Sequence, residues 1–150
     1  MKFIIVLAMS ILMFGCASSV QLAPNNYDIE RKEFVVDKSK SIVYVVQSGG
    51  FFSTHRINFQ VLSNGRFMSG MSGHTYAVFE VEEGKNNIQI ISPENQEYLS
   101  YIAKNGEITF IGVGSIGGWA QMRVQDLREL TKEEGRKAVL EARLSASAQR

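Results

Sequence analysis

From Ser41 onward the chain alternates with a period of two, and turn signals break the alternation about every 8–12 residues. No other feature constrains the fold as much. Side chains that alternate over short segments fit strands that bury one face, and such strands must stack into two sheets or close into a barrel. Ile42-Val43-Tyr44-Val45-Val46 is apolar on both faces and reads as a central strand. Ile57, Phe59 and Val61 alternate with Asn58 and Gln60, and Asn64-Gly65 then marks a tight hairpin into a return strand at 66–69. Thr75, Ala77, Phe79 and Val81 face one way, and Tyr76, Val78 and Glu80 the other. Glu82-Glu83-Gly84-Lys85 turns the chain, with Gly84 free to take the positive φ such turns need. Ile88 and Ile90 mark the next strand, before Ser92-Pro93-Glu94-Asn95. Segments 98–103, 108–113 and 119–124 complete the set, with Asn105-Gly106 as a further turn. The expectation is an all-β fold, an antiparallel β-sandwich of about 7–8 strands over residues 41–125.

Residues 126–150 change period. Thr131-Lys132-Glu133-Glu134 is a capping box, with Val139, Leu140 and Leu144 on one side of the helix it starts. Gly135 lowers the helicity of this short C-terminal helix, and 145–150 reads as a frayed tail. Residues 16–40 are polar and lack a sustained period, apart from Phe34-Val35-Val36, which suits a short edge strand. As coil, 17–40 would span about 25–30 Å on average and act as a tether.

Residues 1–15 read as an export signal. Lys2 supplies the positive start, and 3–14 is apolar except for Ser10. That run is shorter than the roughly 20 residues a membrane span needs. Leu12-Met13-Phe14-Gly15-Cys16-Ala17-Ser18-Ser19 follows, and it resembles the lipobox of bacterial lipoproteins. The resemblance implies lipid on the Cys16 thiol, cleavage before Cys16 and acylation of the new amine. Several acyl chains anchor a protein almost permanently, at about 0.8 kcal/mol per buried methylene. Ala17 rather than Asp after the cysteine implies sorting to the outer membrane, facing the periplasm. Cys16 is the single cysteine, so the domain forms no internal disulfide and depends on packing.

Ala23-Pro24, Asp28, Lys32, Phe34 and then Ser41-Ile42-Val43-Tyr44-Val45 resemble the entry to the bacterial DUF2846 domain. So do Gly73-His74-Thr75-Tyr76, Phe79-Glu80-Val81 and Gly84-Lys85. The resemblance runs from about Ala23 to the C-terminal helix. It implies a sandwich similar to transthyretin-like or PEGA-type modules, carried on a small lipoprotein of undefined biochemical role. Gln47, Glu83 and Asn86 depart from the residues usual at their places in that family.

The residues advertise little chemistry. The precursor has 16 basic and 15 acidic side chains, and loss of Lys2 with the signal leaves 15 of each. With no basic stripe longer than Arg136-Lys137, nucleic acid is not an expected partner. Gly112-Val113-Gly114-Ser115-Ile116-Gly117 spells GxGxxG, but a strand-like segment follows it where a dinucleotide site needs a helix. It reads instead as a glycine-rich turn or bulge. His55 and His74 lack ligand-spaced partners, no serine sits in a nucleophile elbow, and lipid consumes the thiol. Glu82 and Glu83 read as a solvated turn. No cofactor, no metal and no catalytic residue is expected. The candidate contact loop is Gly49-Gly50-Phe51-Phe52-Ser53-Thr54-His55-Arg56, where Phe51, Phe52, His55 and Arg56 combine adjacent aromatics with a cation.

Three functions fit these residues. The first is a non-catalytic envelope module that contacts a protein or glycan, for which a flat exposed aromatic patch would speak. The second is a small lipid or ligand carrier, which needs an enclosed pocket between the sheets. The third is a periplasmic hydrolase, which needs histidines and carboxylates clustered in space.

Overall fold

The computed structural model describes residues 20–47, 58–118 and 121–146. They form two packed sheets with a helical layer on one outer face. The elements are α1 (Asn25–Arg31), β1 (Ser41–Gln47), β2 (Phe59–Ser63), β3 (Arg66–Met71), β4 (Thr75–Val81), β5 (Gly84–Ile91), β6 (Gln96–Ala103), β7 (Ile108–Gly118), β8 (Gln121–Glu129), α2 (Lys132–Glu141) and β9 (Arg143–Leu144). One sheet has the order β8-β7-β1-β4-β9 and the other β3-β2-β5-β6. The expected all-β sandwich is therefore the observed fold.

The first sheet is mixed rather than purely antiparallel. β1 runs antiparallel to β4 but parallel to β7, and β4 runs parallel to β9. The chain leaves β1 to build β2 and β3 in the other sheet, returns through β4, builds β5 and β6, and comes back as β7 on the far side of β1. β1 thus lies at the centre of its sheet, as its two-sided apolar run requires. Val43 and Val45 enter the core between the sheets with Phe59, Met71, Ile88, Ile90 and Ile111. Ile42, Tyr44 and Val46 enter a second core on the outer face, with Tyr76, Phe110, Val139 and Leu144. β4 is treated the same way, so Tyr76 and Phe79 are both buried although they point to opposite faces.

The second core is covered by chain expected to be a tether and by the expected C-terminal helix. Residues 25–31 form a helix, and 34–36 are not a strand. Phe34 takes a positive φ of 54° and turns its ring onto Tyr44 and Phe110, at centroid distances of 5.5 and 5.8 Å. The Arg136 guanidinium lies over that ring, 4.9 Å from its centroid. At the C-terminus the capping box forms as expected. The Thr131 hydroxyl accepts from the Glu134 amide, and the Thr131 amide donates back to the Glu134 carboxylate. Val139 is buried, but Leu140 is exposed, and Leu144 belongs to β9 rather than to the helix. The helix presents Gly135 and Val139 to the sheet, one turn apart.

One carboxylate ties the two ends of the chain together. Asp28 is the only buried residue of α1 and is 6 % exposed. Its Oδ1 accepts from the Leu144 amide at 2.9 Å, and its Oδ2 from Lys32 Nζ at 3.0 Å. Lys32 also donates to the Ala142 carbonyl at 2.7 Å, and Arg143 Nε lies 3.6 Å from Asp28 Oδ2. Burial works against the charge of Asp28, but the Lys32 ammonium and the Leu144 amide outweigh it and hold the carboxyl below its usual range.

Candidate functional site

The four-stranded sheet turns Phe59, Val61, Ile88 and Ile90 into the core, so the residues between them face out. Strand order and register then set those outward residues in rows. Phe67, Leu62, Gln89 and Tyr98 lie side by side across all four strands. Gly70, Gln60, Ile91 and Gln96 form the next row. At about 4.8 Å between strands the platform is roughly 14 Å wide. None of these side chains is charged, although charged residues make up 21 % of the chain. Tyr98 is 66 % and Phe67 43 % exposed.

The polar half of the platform is held in place. Gln89 Nε2 donates to Gln96 Oε1 at 2.7 Å and to Tyr98 Oη at 2.9 Å, and Tyr98 Oη donates to Gln96 Oε1 at 2.9 Å. This triangle fixes the phenol ring on a surface where it would otherwise swing. The other half is apolar, built by Leu62, Phe67 and Ile91. A surface with hydrogen-bonding groups beside apolar ones is suited to contact.

At one end the platform runs into an open groove of about 380 Å³. Val20, Phe59, Phe67, Ile91 and Pro93 line it, with Val20 lying over β3 beside Gly70. The groove is on the outside of the sheet. Val45, Met71, Ile90 and Ile111 are among the buried side chains packed between the sheets.

The residues singled out in the sequence fall elsewhere. Cys16, Phe51, Phe52, His55 and Arg56 lie outside the described residues. His74 sits in the turn before β4 with φ 58°, and its carbonyl accepts from the Arg143 amide at 2.9 Å. The GxGxxG segment lies inside β7, with a register shift between Val113 and Gly114. A Cβ on Gly114 would stand 2.6 Å from the Gln125 carbonyl, so the glycine there allows a close strand crossing and opens no phosphate cradle. Glu83 accepts from the Asn105 amide and side chain at 3.4 and 3.3 Å. Asn86 is buried, donates to the Glu82 and Gly84 carbonyls, and accepts from Asn64 Nδ2 at 2.7 Å. It clasps two turns, which gives that position a structural role.

Among the described residues no group of three or more His, Cys, Asp or Glu side chains comes together in a metal-binding arrangement. Burial pushes the Tyr44 and Tyr101 hydroxyls up to about 12. Sequence reasoning missed the platform. Alternation sets Gln60 and Gln89 between the apolar residues of their strands, but the assembly of the rows depends on strand order. No known family, curated protein or solved structure matches the chain.

Proposed function

We propose that this protein is a lipid-anchored module of the bacterial envelope that acts by contact and not by catalysis. In this reading Cys16 carries the lipid at the periplasmic face of the outer membrane, and the partner is an envelope protein or a glycan. The lipobox-like residues 12–19 support the anchor, and the resemblance to DUF2846 lipoproteins from about Ala23 to the C-terminal helix supports the setting. The single observation that carries the contact role is the uncharged row of Phe67, Leu62, Gln89 and Tyr98 on the outer face of the four-stranded sheet. Exposed aromatics set among amides supply both apolar area and directional hydrogen bonds, the combination found at interface centres.

Two measurements test this. Cys16→Ala is expected to abolish incorporation of a radiolabelled fatty acid and to leave the precursor unprocessed. Label retained by the variant would overturn the anchor, since no second thiol exists in the chain. Phe67→Ser combined with Tyr98→Ser is expected to remove partner crosslinks in intact cells while changing stability by less than about 1 kcal/mol, as usual for exposed sites. Crosslinks of undiminished yield would remove the platform from the reading.

A further inference from the structure

Residues 17–40 would leave the domain free to tumble if they were coil, but the fold begins almost at the proposed anchor. Ala23 donates its amide to the Leu144 carbonyl at 2.9 Å, Leu22 bridges to Ser145, and the Ala146 amide donates to the Gln21 carbonyl at 2.7 Å. Val20 already packs over Gly70 in the groove. Only residues 17–19 separate Val20 from Cys16. Fully extended, the four Cα steps reach about 14 Å. The headgroup zone of one leaflet is itself roughly 6 Å deep.

We propose that this short link holds the sandwich upright on the bilayer, with the Val20 groove as its lipid-facing end. The inference rests on the lipid anchor at Cys16. That end also holds the turn between β5 and β6, with Pro93, and the start of β2, with Asn58. Its lining includes the apolar side chains of Val20, Ile91 and Pro93, all outside the core, which suits a surface pressed against headgroups and upper acyl chains. From there β6 runs away from the membrane, so Lys104 at its far end stands about 26 Å above Gln96. The Gly70–Gln96 row lies nearest the lipid, and the Phe67–Tyr98 row stands two residues farther out. A partner that meets the platform therefore does so close to the membrane surface.

The test uses the full chain, exported and processed by the host, and reconstituted into phosphatidylethanolamine–phosphatidylglycerol vesicles. Pro93→Cys and Lys104→Cys each introduce one free thiol, because lipid occupies the Cys16 sulfur. A fluorophore on each thiol is then quenched by nitroxide carried on lipid headgroups. The label at 93 is expected to be quenched several times more strongly than the label at 104. Equal quenching at the two positions overturns the orientation. Insertion of about 20 Gly/Ser residues between Ala17 and Ser18 restores a coil of roughly 25 Å and is expected to erase the difference. A difference that survives the insertion overturns the link as its cause. Failure of the unsubstituted protein to float with vesicles would show first that the anchor itself is absent, and would remove the orientation with it.

Discussion

Asp28→Ala is expected to destabilise the domain by about 3 kcal/mol, the usual cost of stranding buried charged partners. For a domain of this size that corresponds to a fall in Tm of about 10 °C. The substitution leaves the Leu144 amide without its acceptor and Lys32 beside Arg143 with no counter-charge. It also releases α1, which has no side-chain N-cap and buries nothing else. Thermal unfolding followed by far-UV circular dichroism measures it. A loss under about 1 kcal/mol would show that α1 and the sheet do not depend on each other.

The same carboxylate predicts a pH dependence of definite sign. Its folded pKa lies below the unfolded value of about 3.9, so the folded state favours the ionised form. The contribution is therefore fully present above about pH 4 to 5 and is lost as pH falls through the lowered folded value. The stability difference between the unsubstituted protein and Asp28→Asn should be constant near neutrality and shrink in acid. A gap that widens on acidification would contradict the assignment of Asp28 as the paired anion.

Gly135→Ala is the second large effect, and its sign opposes helix propensity. In an exposed helix this change gains about 1 kcal/mol. Here the new Cβ would stand 2.2 Å from Phe110 Cγ and 2.4 Å from Phe110 Cβ. Those atoms lie next to the β7 backbone and cannot swing aside, so α2 must lift from the sheet. Lifting it opens the packing of Val139 and of Phe34 under Arg136. Overpacking of this kind costs about 1–3 kcal/mol, and a net loss of about 2 kcal/mol is expected on denaturant unfolding. Phe110→Ala takes away Cγ and the ring, so Gly135→Ala should cost less in that background than in the unsubstituted protein. A stabilised Gly135→Ala protein would mean that helix and sheet are farther apart than the structure places them.

Alternation and turn chemistry determined much of this protein before any contact was known. Both faces of residues 42–46 are apolar, which fixes β1 at the centre of a covered sheet. Asn64-Gly65 fixes the β2–β3 hairpin through the positive φ of 49° and 79° at its two central residues. The capping box at Thr131 fixes where α2 starts. These signals are local, and each is satisfied within a few residues of where it is written.

What remained illegible was decided between distant segments. α1 carries no apolar stripe, because a salt-bridged carboxylate and not a hydrophobic face holds it, so period counting passed over it. β9 is two residues long and forms because β4 offers it a free edge. The parallel pairing of β1 with β7 follows from strand order, which periodicity does not encode. The platform has the same origin. Leu62, Phe67, Gln89 and Tyr98 become neighbours only when β2, β3, β5 and β6 adopt one order and one register. A period of two tells which residues share a face of one strand, and only tertiary packing tells which strands lie beside it and whether that face meets a core or water.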